Sequence, residues 1–227
     1  VTVTVLAAYA FDNVGGTTVP DLTGHGWDLV LTGSNGAVVS GGHTNGAFGK
    51  TGATMAVFPS GLVAASETAD RAVMFWALGN TTTWWVRWEK DSIGSGTWGI
   101  LNISGAMSGQ ARQTGTESLA TRPAAPQPAA AVWHHYCLRY QQSTGLIDLL
   151  YDGVLTTPGP PNGRQTIPGG AGQLLSSGAN RINMGEWSSA GPAVDDLRIL
   201  TSWPSDAEVV TLRDTPVAAA GSSARSN

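Results

Sequence analysis

Between Trp133 and Leu155 the chain alternates apolar and polar residues in a way that fits a β-hairpin. Trp133-His134-His135-Tyr136-Cys137-Leu138-Arg139-Tyr140 is followed by Thr144-Gly145, then by Leu146 to Tyr151, and then by Asp152-Gly153-Val154-Leu155. A period of two sends Tyr136, Leu138 and Tyr140 to one face and Cys137 and Arg139 to the other. The partner strand offers Ile147, Leu149 and Tyr151 to one side and Asp148 to the opposite side. Asp152-Gly153 between two apolar runs marks a tight turn, because aspartate and glycine tolerate the positive φ that such turns require.

With 227 residues the chain suits one large β-sandwich or two small domains. Charged residues make up only 12% and hydrophobic ones 41%, with 30 glycines, which favours a strand-rich, turn-rich protein over a disordered one. A net charge of -4 offers no basic surface to replace phosphate counterions, so nucleic acid is excluded as the main partner. No apolar run is long enough to cross a bilayer. Cys137 is the only cysteine, which rules out an intrachain disulfide, and its place in a strand reads as a buried, inert thiol.

Short β-branched or aromatic runs recur along the chain: Val1–Ala10, Trp27–Leu31, Ala53–Phe58, Arg71–Leu78, Trp84–Glu89, Trp98–Ile103, Arg181–Glu186 and Val194–Leu200. Glycine-, asparagine- and serine-rich links between them predict a two-sheet sandwich rather than βαβ units. Ser205-Asp206-Ala207-Glu208 is a capping box that starts a short helix reaching about Leu212. Four markers occur in order: Phe11-Asp12 with Asp21-x-Thr23-Gly24-x-Gly26, the Trp133-His134-His135 hairpin with Leu150-Tyr151-Asp152-Gly153, Val194-Asp195-Asp196-Leu197-Arg198-Ile199, and the capping box. Together they resemble the laminin-G-like branch of the concanavalin A-like jelly rolls. The resemblance implies an all-β fold, a two-sheet antiparallel jelly-roll sandwich with one short C-terminal helix. It would occupy residues 1–214, with 215–227 as a flexible tail.

The resemblance also implies a recognition role, as in adhesins and lectin modules, and a Ca²⁺ near the sandwich edge. By the resemblance, Asp12 or Asp21 in the N-terminal segment and Asp195 or Asp196 before the last strand would contribute to it, since hard cations take oxygen donors. Catalysis is not expected. The five glutamates (Glu67, Glu89, Glu117, Glu186 and Glu208) are scattered, whereas a retaining glycosidase needs two carboxyls about 5 Å apart. No nucleophile elbow, zinc helix or phosphate loop is present. His134 and His135, as strand neighbours, point to opposite faces and cannot readily share one metal ion.

In Trp84-Trp85-Val86-Arg87-Trp88-Glu89, alternation assigns Trp84, Val86 and Trp88 to the core. Trp85, Arg87 and Glu89 would then form an exposed platform on which a sugar ring could stack, with Trp187 and Trp27 as further aromatic candidates. The expected role is a non-catalytic adhesion or decoration module on a virion or other extracellular surface. Its expected partners are glycans or coat-protein subunits, with homo-oligomers and possible Ca²⁺ binding. A soluble or cell-surface lectin is the alternative.

Overall fold

The computed structural model describes residues 3–12, 17–32, 36–51, 55–79, 84–89, 96–103, 105–112, 120–128, 131–155, 163–173, 179, 181–186 and 190–217. In chain order its elements are β1 (Val5–Tyr9), β2 (Thr18–Val19), β3 (Leu29–Thr32), β4 (Gly36–Ser40), β5 (Gly46–Thr51), β6 (Met55–Val57) and α1 (Ser60–Ser66). Next come β7 (Arg71–Leu78), β8 (Trp84–Glu89), β9 (Gly96–Ile103), β10 (Ala106–Arg112), β11 (Ala120–Thr121), β12 (Ala124–Pro126) and β13 (His134–Gln141). The last are β14 (Leu146–Tyr151), β15 (Val154–Leu155), β16 (Arg164–Thr166), β17 (Arg181–Glu186), β18 (Ala190–Leu200) and α2 (Asp206–Asp214). One sheet runs β15-β14-β13-β7-β18-β5-β4, with β1 added beside β18 and β16 beside β14. The other runs β11-β10-β9-β8-β17-β6-β3-β2, with β12 beside β10. The described pairs of both sheets are antiparallel, and the two sheets enclose one core, as expected of the sandwich.

The hairpin read from the sequence forms, with Tyr136 opposite Tyr151 and Arg139 opposite Asp148. Asp152 and Gly153 both take positive φ, 50° and 77°, which matches the right-handed twist of the strands they join. Tyr136, Leu138, Tyr140, Ile147 and Leu149 face the other sheet and meet Trp85, Trp88 and Trp98 in the core. The outer face of the same hairpin is apolar too. Cys137 and Leu150, with Ala72, Met74 and Leu200, are sealed by Val209 of α2. Burial pushes the Cys137 thiol up to about 12, so it remains an inert packing group.

Arg139 and Asp148 lie within that covered outer face, and both are almost fully buried. Arg139 Nε and Nη2 donate to Asp148 Oδ2 at 3.2 and 2.9 Å, Nη1 donates to the Pro204 carbonyl at 2.7 Å, and Nη2 also reaches Asp206 at 2.6 Å. Arg164 of β16 donates twice more to Asp148, at 2.8 and 2.7 Å. The network therefore ties the hairpin to the start of α2. At that start Ser205 and Glu208 form the anticipated capping box.

Several features depart from the sequence reading, and β4, β5 and β10 were not among the expected strands. α1 was not anticipated; it places Leu62 and Val63 in the core, and its Ser66 hydroxyl accepts the Trp88 indole N–H at 2.7 Å. Residues 215–217 also contact the sandwich. Arg198 donates to the Thr215 carbonyl, Val217 N–H donates to Asp196 at 2.9 Å, and the Val217 side chain packs on Ala8 and Ala10. Residues 215–217 are thus a docked strap rather than tail, while 218–227 lie outside the described residues.

Because a buried cation stripped of its partner is costly, Asp148→Ala should lower stability by about 3–5 kcal/mol. Urea denaturation measures this, and a loss below about 1 kcal/mol would mean that the pair is solvated.

Candidate functional site

Trp85 does not form an exposed platform. It is 0% exposed and stacks on Phe75 of the facing sheet, with ring centroids 6.0 Å apart. The cause is a register shift against β9 between Trp84 and Val86, a bulge that breaks the alternation and turns Trp85 inward with Val86. Arg87 and Glu89 do point away from Val86 and Trp88, yet both are 0% exposed and pair with each other at 2.6 Å. Neither offers a surface to a ligand. Trp187 lies outside the described residues. Trp27 is half-buried against the core, and its six-membered ring lies so close to Gly61 of α1 that a Cβ there would come within 2.6 Å.

The four aspartates separate by role. Asp21 organises the loop after β2: it accepts from Ala8 N–H at 3.1 Å, from Thr23 N–H and Oγ–H at 3.1 and 2.8 Å, and from Trp27 N–H at 3.3 Å. Asp12 and Asp195 hold the β4–β5 loop. Asp12 accepts from Gly46 N–H at 3.0 Å, and Asp195 from Thr44 N–H and Oγ–H at 3.1 and 3.3 Å. Asp196, at φ 48° where β18 bulges, accepts from Val217 N–H through Oδ1; its buried Oδ2 has no hydrogen-bond partner among the described residues. Burial, with the nearby charges of Asp196 and Asp12, pushes the Asp195 carboxyl up to about 6 even though Thr44 and the Asp196 amide oppose the shift. Among the described residues no three His, Cys, Asp or Glu side chains are grouped to hold a metal ion.

The two neighbouring histidines face opposite ways, as expected. His134 bridges Asp152 at 2.9 Å and the Tyr151 hydroxyl at 3.1 Å. His135 is fully buried on the outer face, and neither ring nitrogen has a hydrogen-bond partner among the described residues. Burial, reinforced by Arg198, Arg213 and His43 and opposed by Asp214, brings its pKa down to about 3.

A polar cleft of about 650 Å³ opens at the end of the sandwich where β7 begins and β13 and β18 finish. Its aromatic wall is Trp203, half-buried between the end of β18 and the cap of α2. The Arg139 guanidinium lies 4.1 Å from the Trp203 ring centroid, so the buried ion network also props this ring. The hydroxyls of Thr4, Thr201, Ser202 and Ser205 line the cleft, together with the Gln141 amide and the carboxylates of Asp70 and Glu208. Asp70 Oδ1 accepts from Gln142 N–H at 2.9 Å, and Glu208 Oε2 accepts from Ser205 N–H and Oγ–H, both at 2.7 Å. The second oxygen of each carboxylate has no hydrogen bond among the described residues. Those Ser205 donors hold the Glu208 carboxyl below the ordinary carboxylate range, so it stays ionised and is a poor proton donor. The one sequence signal for this site was Trp203-Pro204 set between the last strand and a capping box.

No protein-family model matches the chain, and no curated protein does. The kinship suggested by the four motifs therefore gains no support from sequence comparison. Solved structures do match. Domain 4 of an extracellular arabinanase from Geobacillus stearothermophilus, solved with arabinotriose, superposes with a TM-score of 0.69 at 18% identity, covering 92% of this chain and 98% of that one. The binding domain of Paraclostridial Mosquitocidal Protein 1 gives 0.69 at 12% identity. The binding domain of botulinum neurotoxin DC, solved with rat synaptotagmin II, gives 0.64 at 12%. The chain spans about half of each toxin domain, 51% in both cases. These likenesses establish the shared β-sandwich fold.

Trp85→Ala should cost about 3–5 kcal/mol through the cavity it leaves, read as a fall in thermal midpoint. A variant as stable as the parent would return Trp85 to the surface. Acid should act on His135 and Asp195 in opposite senses. The imidazole, at about 3 in the fold, takes its proton on unfolding, so stability falls by up to about 1.4 kcal/mol per unit as pH drops below 6. The Asp195 carboxyl, at about 6 in the fold, is protonated there before it is in the unfolded chain, so acidification restores stability until about pH 4. Relative to the parent, His135→Gln should therefore gain stability from pH 6 to 4 and Asp195→Asn should lose it. Urea melts at several pH values decide, and parallel curves would mean that neither group is buried as placed.

Proposed function

We propose that this protein is a non-catalytic carbohydrate-binding module that works on an extracellular or virion surface. The observation that carries the reading is the Trp203 cleft. It joins one aromatic face, suited to the C–H side of a sugar ring, to hydroxyl, amide and carboxylate groups that read sugar hydroxyls. The arabinanase domain, solved with arabinotriose and matched over nearly its whole length, lends support. Binding rather than hydrolysis is favoured because Glu208, one of the two carboxylates lining the cleft, is held ionised by Ser205 and cannot readily protonate a leaving group. Asp70 and Glu208 also set a charge preference. Neutral oligosaccharides should enter, while sialylated or uronic glycans should be repelled.

A glycan array followed by calorimetry tests the proposal. Neutral ligands should bind, Trp203→Ala should weaken them at least about tenfold, the 1.4 kcal/mol expected of one aromatic contact, and Asp70→Asn should relax the exclusion of anionic sugars. A blank array, or a Trp203→Ala variant that is folded and binds unchanged, would reject this cleft as the site.

A further inference from the structure

At the opposite end of the same strands lies a second group of aromatic rings that the core does not use. His43 of the β4–β5 loop stacks on Trp76 of β7, with centroids 3.6 Å apart and planes at 11°. Trp133, just before β13, stands edge-on to His43 at 6.4 Å and 72°. All three residues are partly exposed, and none belongs to the three apolar clusters of the described residues. Trp76 also meets the buried His135 ring edge-to-face at 5.5 Å. Trp76 Nε1 is a buried donor without a partner among the described residues.

The loop that presents His43 is held at several points. Asp12 holds Gly46, Asp195 holds Thr44, and the Asn45 carbonyl accepts from Gly41 and Gly42 N–H at 3.2 and 2.9 Å. Gly42 admits no larger residue, because a Cβ there would lie 2.0 Å from the Gly46 carbonyl oxygen and 2.8 Å from Asp195. The ring position is thus preorganised, which lowers the ordering cost of binding. Burial also lowers the pKa of His43, leaving a neutral imidazole able to donate to or accept from a hydroxyl.

Three strands connect the two ends. β7 leads from Asp70, just before it at the cleft, to Trp76 at the aromatic corner; β13 runs from beside Trp133 to Gln141; and β18 runs from Asp195 to beside Thr201. Asp70 and Trp76 are six residues apart in extended chain, about 20 Å at 3.3 Å per residue.

We infer that the His43–Trp76–Trp133 corner is a second carbohydrate contact, so that the domain grips one neutral polysaccharide at two points, the Trp203 cleft and this corner. The inference rests on the glycan reading of the cleft. A sugar ring would stack on the exposed aromatic surface of the corner, with hydroxyls directed to the His43 imidazole. The flanking carboxylates of Asp12 and Asp195 give this end the same bias against anionic sugars. Two weak contacts on one flexible polymer then act through effective concentration, so affinity rises with chain length beyond what either contact supplies.

The test uses indole ¹⁵N–H signals of the labelled full chain during titration with arabinotriose, maltotriose and cellotriose, and then with the corresponding soluble polysaccharides. Shifts of both the Trp203 signal and the Trp133 and Trp76 signals are expected. Trp133→Ala should abolish the corner response, leave the Trp203 response to the trisaccharide intact and weaken the polysaccharide at least about tenfold. If Trp203 shifts while Trp133 and Trp76 stay still, the second contact is overturned and the cleft stands. If Trp133 and Trp76 shift without Trp203, the corner is supported and the cleft falls. If no indole signal responds at millimolar probe, both readings fall.

Discussion

Arg139 is a charge that this fold keeps out of water, and the architecture around it follows from the need to satisfy it. A guanidinium at 2% exposure is tolerable only with its donors engaged, and here they reach Asp148 across the hairpin, the Pro204 carbonyl and Asp206. Two of those partners lie where β18 gives way to α2. The same contacts that neutralise the arginine therefore set where the helix starts and how it lies over Cys137, Leu150 and Leu200. Trp203, seated on the guanidinium, becomes the wall of the cleft as a by-product of that anchoring.

The outer face of the hairpin sheet is thus divided into three zones. Its middle is sealed by α2 and continued by the strap at 215–217, beneath which His135, Asp196 and Arg198 retain buried polar atoms without partners among the described residues. Its two ends stay open and carry aromatic rings beside hydroxyls or carboxylates. The inner face is apolar and aromatic throughout, with Trp85, Trp88 and Trp98 filling the space between sheets. Tryptophan therefore serves two purposes in this chain. The inner rings contribute buried area, whereas Trp76, Trp133 and Trp203 stand where polar side chains or backbone accompany an accessible face.

Much of this was legible in the sequence wherever the signal was local. The faces of the hairpin strands, the positive-φ turn at Asp152-Gly153 and the capping box at Ser205 each depend on residues a few positions apart. Trp85 was misread for a definite reason. Strict alternation presumes regular pairing, but β8 sits between two partners and bulges against one of them, so parity reverses at that residue. Arg87 and Glu89 kept the expected parity yet lost their expected exposure, because pairing with each other allows both to be buried. Three of the aspartates singled out as oxygen donors serve as loop anchors: backbone amides and a threonine hydroxyl reach Asp12, Asp21 and Asp195 from segments distant in sequence.

By itself the sequence determined the β-sandwich class, the hairpin and the faces of its strands, and the start of α2, because those follow from side-chain periodicity and turn chemistry over short spans. Tertiary structure decided which rings are accessible and which polar groups converge. Thr4, Asp70, Gln141 and Trp203 come from four separate segments, and His43 meets Trp76 and Trp133 only when three strands and a loop close together. Exposure and convergence depend on which elements become neighbours, and no local pattern in the chain encodes that.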